Sequence, residues 1–89
     1  LIVDLDRKTV NVDGVDVDFT KTEFGILCTL LEQPGRVFSR HDLIRQIWPM
    51  DVIVSDRTVD VNITRLRKKL GPYADNLVTR LGFGYYFDA

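Results

Sequence analysis

The sequence predicts an α+β domain in which an antiparallel sheet is followed by three helices and a closing β-hairpin. Three observations carry this expectation. Residues 9–19 alternate apolar and polar at period two about Asp13-Gly14. Residues 20–70 change to a helical period in three segments, separated by Pro34-Gly35 and by Pro49. Residues 77–87 return to strand-like runs, LVTRL and YYF, around Gly82-Phe83-Gly84. The 89 residues make one domain, 1–89, long enough to close a modest core without metal or disulfide.

In the first element, Val10, Val12, Val15 and Val17 alternate with polar residues, and LIVDL ahead of them reads as a further strand. Thr20 and Glu23 have the spacing of a capping box, and Phe19 and Phe24 that of a hydrophobic staple. Phe24, Leu27, Cys28 and Leu31 are the expected buried stripe of the first helix, with Cys28 as core filler. The second helix begins at Ser39, with Asp42 in its first turn and Leu43, Ile44, Ile47 and Trp48 turned inward. The loop Met50, Asp51, Val52, Ile53, Val54, Ser55 then has an apolar centre, which either tucks inward or is offered to a partner. The third helix is DRTVDVNITRLRKKL, and GPYADN after it makes a turn. Two helices, a basic helix and a hairpin suggest a helix-turn-helix core with a β wing.

The composition, 45 % hydrophobic and 28 % charged, is that of a folded domain rather than a disordered tail. No apolar run approaches the roughly 20 residues of a membrane span. The single cysteine excludes an internal disulfide and a cysteine metal cluster, and it fits a reducing, cytoplasmic setting. No signal-peptide pattern opens the chain, and the absence of an initial methionine suggests a piece of a longer protein. The net charge is −1 but strongly polarised. Residues 1–35 hold three Lys/Arg against seven Asp/Glu, whereas residues 56–70 hold five against two.

On a helical wheel Val59, Ile63, Leu66 and Leu70 fall within about 40° of one another, a narrow core-facing stripe. Arg57, Val61, Thr64, Arg65 and Lys68 lie opposite. Asp60 and Arg67 flank one side, and Thr58, Asn62 and Lys69 the other. Asp56 is the expected N-cap. Such a face is ordinarily only a solvated surface, but the cations have few acidic partners at helical spacing, and Val61 gains nothing from water. A small branched side chain there can pack on a thymine methyl while arginines bind guanine edges or phosphates. Duplex reading and contact with an acidic protein surface both remain open on these residues alone. Lys68 and Lys69 also suit the helix carboxyl end.

The run DRTVDVNITRLRKKL resembles the recognition-helix signature of OmpR/PhoB-type response-regulator effector domains. FTKTEFGILCTLLEQPGRVFSRHDLIRQIW is similar to that family's first two helices, and GFGYYF to its wing. The resemblance covers nearly the whole chain. It implies a winged helix that binds direct DNA repeats as a homodimer of the full-length protein, with helix 57–70 in the major groove. The wing, 77–87, would lie against backbone or minor groove. It also implies a preceding receiver domain, absent here, phosphorylated through a cognate sensor kinase in a two-component phosphorelay. By the same resemblance Arg57 would clamp a phosphate. Val61 and Arg65 would face bases, and Asn62, Arg67 and Lys68 would lie over backbone or base edges. Thr58, Thr64 and Lys69 complete the helix set, with Trp48 and Thr79 as further backbone contacts. Arg80 joins the set from one residue before the family's wing arginine, a shift that reverses the face in a strand. The loop Met50–Ser55 becomes a candidate RNA polymerase contact. Thr64 stands where many family members carry arginine, which weakens one contact of the helix. Leu81 and Tyr86 replace arginines of the wing, and segment 71–76 is short. Together these imply a wing that contributes less than usual and binding that leans on the third helix.

Enzyme chemistry is not expected. His41 is the only histidine, and no carboxylate pair, nucleophile–base set or phosphate-cradling loop is visible. Neither a cofactor nor a metal is expected.

Overall fold

The computed structural model describes residues 1–89. Strands β1 (Ile2–Asp4), β2 (Thr9–Val12) and β3 (Val15–Val17) form an antiparallel sheet in that order. Val10 pairs with Val17 and Val12 with Val15. Asp13 and Gly14 both have positive φ, 50° and 91°, as a type I′ hairpin turn requires. Val10 and Val12 are buried, but Val15 at the hairpin end is exposed, so the alternation fails where the sheet overhangs its core.

Helix α1 (Lys21–Glu32) begins with the expected capping box. Thr20 Oγ1 accepts from Glu23 N–H at 3.1 Å, and the Glu23 carboxylate accepts from Thr20 N–H at 2.9 Å. Its buried stripe is Glu23, Ile26, Leu27 and Leu30, one position away from the expected Phe24, Leu27, Cys28 and Leu31. Phe24 and Leu31 still pack on the edge of the core, and Cys28 is half-buried. Ile26, Leu27 and Leu30 fix this face, and the Glu23 carboxylate can share it because it has an internal partner on the third helix, described below. Helix α2 (Arg40–Ile47) has a full capping box between Ser39 and Asp42. Leu43 is its only buried residue; Ile44, Ile47 and Trp48 pack partly against the core.

The loop after α2 runs outward. Met50 and Ile53 are fully exposed and Val52 is exposed, while only Val54 is half-buried. Of the two readings left open for this loop, the inward one is therefore incorrect for its apolar centre.

Helix α3 (Asp56–Leu70) buries Val59, Ile63, Leu66 and Leu70, the stripe the wheel predicts. Burying each of these side chains stabilises by about 1.5–3 kcal/mol, so the rotation of α3 is strongly fixed. Its N-cap is Ser55 and not Asp56: Ser55 Oγ accepts from Thr58 N–H at 3.3 Å, and Asp56 is the first helical residue, where its charge still suits the dipole. GPYADN is a 3₁₀ segment (Gly71–Asn76) rather than a simple turn.

Strands β4 (Leu77–Arg80) and β5 (Gly84–Phe87) form the wing. A backbone bridge between Phe38 and Tyr85 docks β5 against the segment joining α1 and α2, with N–H to O distances of 2.8 and 2.9 Å. Gly84 permits this docking. Its φ is 147°, and a Cβ there would lie 2.0 Å from Phe38 O. The core joins the three helices, β2 and the wing strands through fourteen buried side chains, including Leu77, Tyr85 and Phe87. The architecture is a winged helix-turn-helix, as expected. No helix is long and apolar enough to cross a membrane.

Candidate nucleic-acid interface

With the stripe of α3 locked inward, Arg57, Thr58, Val61, Thr64, Arg65 and Lys68 are all exposed. Arg57, Val61, Arg65 and Lys68 follow one another at helical spacing along a single face. Val61 is 37 % exposed between Arg57 and Arg65, with its apolar methyls on a wet surface. None of Arg57, Arg65 and Lys68 belongs to any of the four ion pairs of the molecule. Three cations thus share one face without a counter-charge, an arrangement that repels itself until an anion arrives. Thr64 turns its hydroxyl back to Asp60 O at 3.1 Å, leaving its methyl outward.

The other expected residues of α3 have internal work. Asn62 is only 8 % exposed and its amide donates to Thr58 O at 2.9 Å. Arg67 donates to Leu77 O at 3.0 and 2.6 Å and to Thr79 Oγ1 at 2.8 Å, tying the helix to β4. Lys69 Nζ meets Glu23 Oε1 at 2.6 Å, tying it to α1. Burial works to raise the Glu23 carboxyl, but hydrogen bonds from Lys69 and the Thr20 amide outweigh it and hold the group below its ordinary range. Asn62, Arg67 and Lys69, which the sequence reading placed in the DNA-contacting set, each direct hydrogen bonds into the domain.

One network escaped the sequence reading. Arg40 grips Asp60 through two hydrogen bonds, 2.8 and 3.0 Å, and the Tyr85 hydroxyl donates to Asp60 at 2.6 Å. The Arg40 hydrogen bonds, aided by Tyr85 and opposed by burial, hold the Asp60 carboxyl below its ordinary range. Burial first, then Asp60, pushes the Tyr85 phenol up. This strut joins α2, α3 and β5. Two signals could have found it: an acid beside the core edge of a basic helix, and the period-two pairing of Tyr85 with Phe87.

On the wing, Thr79 and Arg80 are exposed, and Arg80 has no carboxylate partner. Strand β4 ends at Arg80, so Leu81 lies in the turn, and both side chains reach solvent. Trp48 is half-buried and lines a groove with Phe19, Phe24 and Ile47. Asp51 and Ser55 are exposed, and Ser55 is occupied as the α3 cap.

A family model described as "Transcriptional regulatory protein, C terminal" matches residues 14–87. The chain is 42 % identical over 88 residues to the sensory transduction protein BceR of Bacillus subtilis, covering 93 % of this chain and 37 % of that protein. Among solved structures, the response regulator DrrB of Thermotoga maritima, an OmpR/PhoB homologue, superimposes with a TM-score of 0.87 at 33 % identity, over 98 % of this chain and 41 % of that one. The DNA-binding domain of RstA from Klebsiella pneumoniae, solved with its RstA box, gives 0.83 at 30 % identity, over 97 % and 88 %. This chain spans about two fifths of the length of the curated relatives it matches. Helix order, wing and matched family together assign it: the chain belongs to the transcriptional regulatory protein C-terminal family, as an OmpR/PhoB-type effector domain.

Proposed function

We propose that this domain binds double-stranded DNA sequence-specifically and regulates transcription as the output domain of a longer two-component response regulator. The observation that carries the reading is the outer face of α3, where Arg57, Arg65 and Lys68 surround an exposed Val61 with no internal counter-charge. Helix-turn-helix proteins lay such a face in the major groove and read bases with its early residues. Arg57 clamps a phosphate at the helix start, Arg65 meets a base edge, and Val61 packs on a thymine methyl. Thr58, Thr64 and Lys68 lie over the backbone. The Thr79 hydroxyl accepts from Arg67, which leaves its proton for a phosphate oxygen. Arg80 supplies a further backbone contact, and the Trp48 indole N–H, which has no protein acceptor, another. Asn62, Arg67 and Lys69 position the helix instead of touching DNA.

The relatives' greater length supports a receiver domain before Leu1, phosphorylated through a cognate sensor kinase, with the full-length protein binding direct repeats as a dimer in the cytoplasm. The exposed Met50, Val52 and Ile53 favour a protein contact for the loop, and RNA polymerase is the partner proposed. The domain performs no catalysis in this reading. Selection of random duplexes followed by sequencing of the bound pool tests it. The expected product is a direct repeat with half-sites about one helical turn apart. A bound pool without sequence preference, or binding to acidic protein and not to duplex, would overturn it.

A further inference from the structure

The tip of the wing carries two large apolar side chains that the domain does not cover. Leu81 is 90 % exposed and Phe83 71 % exposed, with only Gly82 between them. Phe83 N–H donates to Arg80 O at 2.8 Å, so the turn is closed and both side chains are held outward. Adjacent exposed apolar groups of this size mark an interaction surface more often than chance.

The direction of the tip is fixed by contacts along α3. Arg67 holds Thr79, Asp60 holds Tyr85, and Asp56 at the start of α3 lines one cleft of about 230 Å³ together with residues 80–84. The hairpin therefore runs beside α3 toward its amino end, where Arg57 begins the free basic face. Gly84, lodged against the Phe38 and Ser39 backbone, prevents it from swinging away. Arg80, beside the apolar pair, lacks an acidic partner, so the tip combines a hydrophobic point with one free cation.

We propose that Leu81 and Phe83 form a wedge that enters the minor groove beside the half-site read by α3, and that it partly unstacks one base step there. This rests on the reading of α3 as a duplex-binding helix. Phosphates offer an apolar tip nothing, and α3 occupies the major groove with its thymine methyls. In the adjoining minor groove an apolar tip gains ring surface by opening a base step. Leu and Phe inserted between base steps kink DNA toward the major groove, which here wraps it onto α3. Unstacking is easiest at pyrimidine–purine steps. The wing then contributes little counterion release, and instead a preference for a TA or CA step that no hydrogen bond reads.

The test uses a duplex carrying the selected half-site, with 2-aminopurine at a TA step in its flank and a fluorophore pair at its ends. The wild-type chain and a Leu81→Ser/Phe83→Ser double variant are titrated onto it. Both side chains are solvent-exposed, so the variant should keep the wild-type melting temperature. Wild type should raise 2-aminopurine emission several-fold and shorten the end-to-end distance. The double variant should still bind, about ten-fold more weakly, with an unchanged salt slope and neither optical change. Tight wild-type binding to a straight duplex with quenched 2-aminopurine would overturn the wedge alone. A variant that loses only cooperative occupancy of two adjacent sites would overturn it too, since the tip would then be packing on a second copy. Failure of wild type to bind any duplex would remove the α3 reading along with it.

Discussion

Arg65 and Arg67 stand two residues apart on α3, about 200° around its axis. Arg67 gives its guanidinium to Leu77 and Thr79 and fastens the wing, whereas Arg65 touches no acid at all. Lys68 and Lys69 repeat the contrast: Lys69 meets the buried Glu23, and Lys68 is free. The same residue types thus do opposite things on one helix. What separates them is their angle from the Val59–Leu70 stripe, because burial of that stripe fixes the rotation of the helix. Both flanks of the stripe belong to the fold, Arg67 on one and Lys69 on the other, and the face between them is left for a ligand.

This division predicts that substitutions on the tied side change stability and those on the free side change binding. The largest effect belongs to the seam that docks the wing. Gly84→Ala forces a Cβ into the Phe38 carbonyl at an unfavourable φ and should cost about 3 kcal/mol or more, read as a fall in urea midpoint. Lys69→Ala strands the Glu23 carboxylate. Because Lys69 is partly exposed, the expected cost is about 2 kcal/mol of stability, while the folded fraction binds duplex like wild type. Arg65→Ala should do the reverse, costing about 1–2 kcal/mol of duplex affinity at an unchanged melting temperature. Arg80→Ala should weaken binding less than Arg65→Ala; equal losses would contradict a wing whose cation matters little. The smallest effect is that of acid. Glu23 and Asp60 have folded values below their unfolded ones, so the stability they contribute is complete above about pH 4 and is lost as pH falls through the folded values. The melting temperature should fall by a few degrees there, and Glu23→Gln should flatten the decline.

Most of the fold was legible in the sequence because its signals are local. The Thr20/Glu23 and Ser39/Asp42 spacings, the Asp13-Gly14 turn and the α3 stripe all act within a few residues. The site was legible only by half. Arg57, Val61, Arg65 and Lys68 follow from the wheel, since exposure is what remains after the stripe is buried. Asn62, Arg67 and Lys69 do not. Asn62 turns its amide back onto its own helix, and the other two find partners on other elements: Lys69 reaches 46 residues back to Glu23, and Arg67 ten residues forward to Leu77. The place of Glu23 in the buried stripe of α1 was hidden for the same reason. A carboxylate is an improbable core residue until the lysine that neutralises it is known to be beside it.

The most direct test compares how salt affects duplex affinity when cations are removed from each side of α3. With Arg57→Ala/Lys68→Ala, the slope of log affinity against log salt should flatten by about 0.9 for each phosphate no longer neutralised. With Lys69→Met, whose lysine faces Glu23, the slope should stay at the wild-type value. Equal slopes for all three proteins would contradict the assignment of the free face to the duplex.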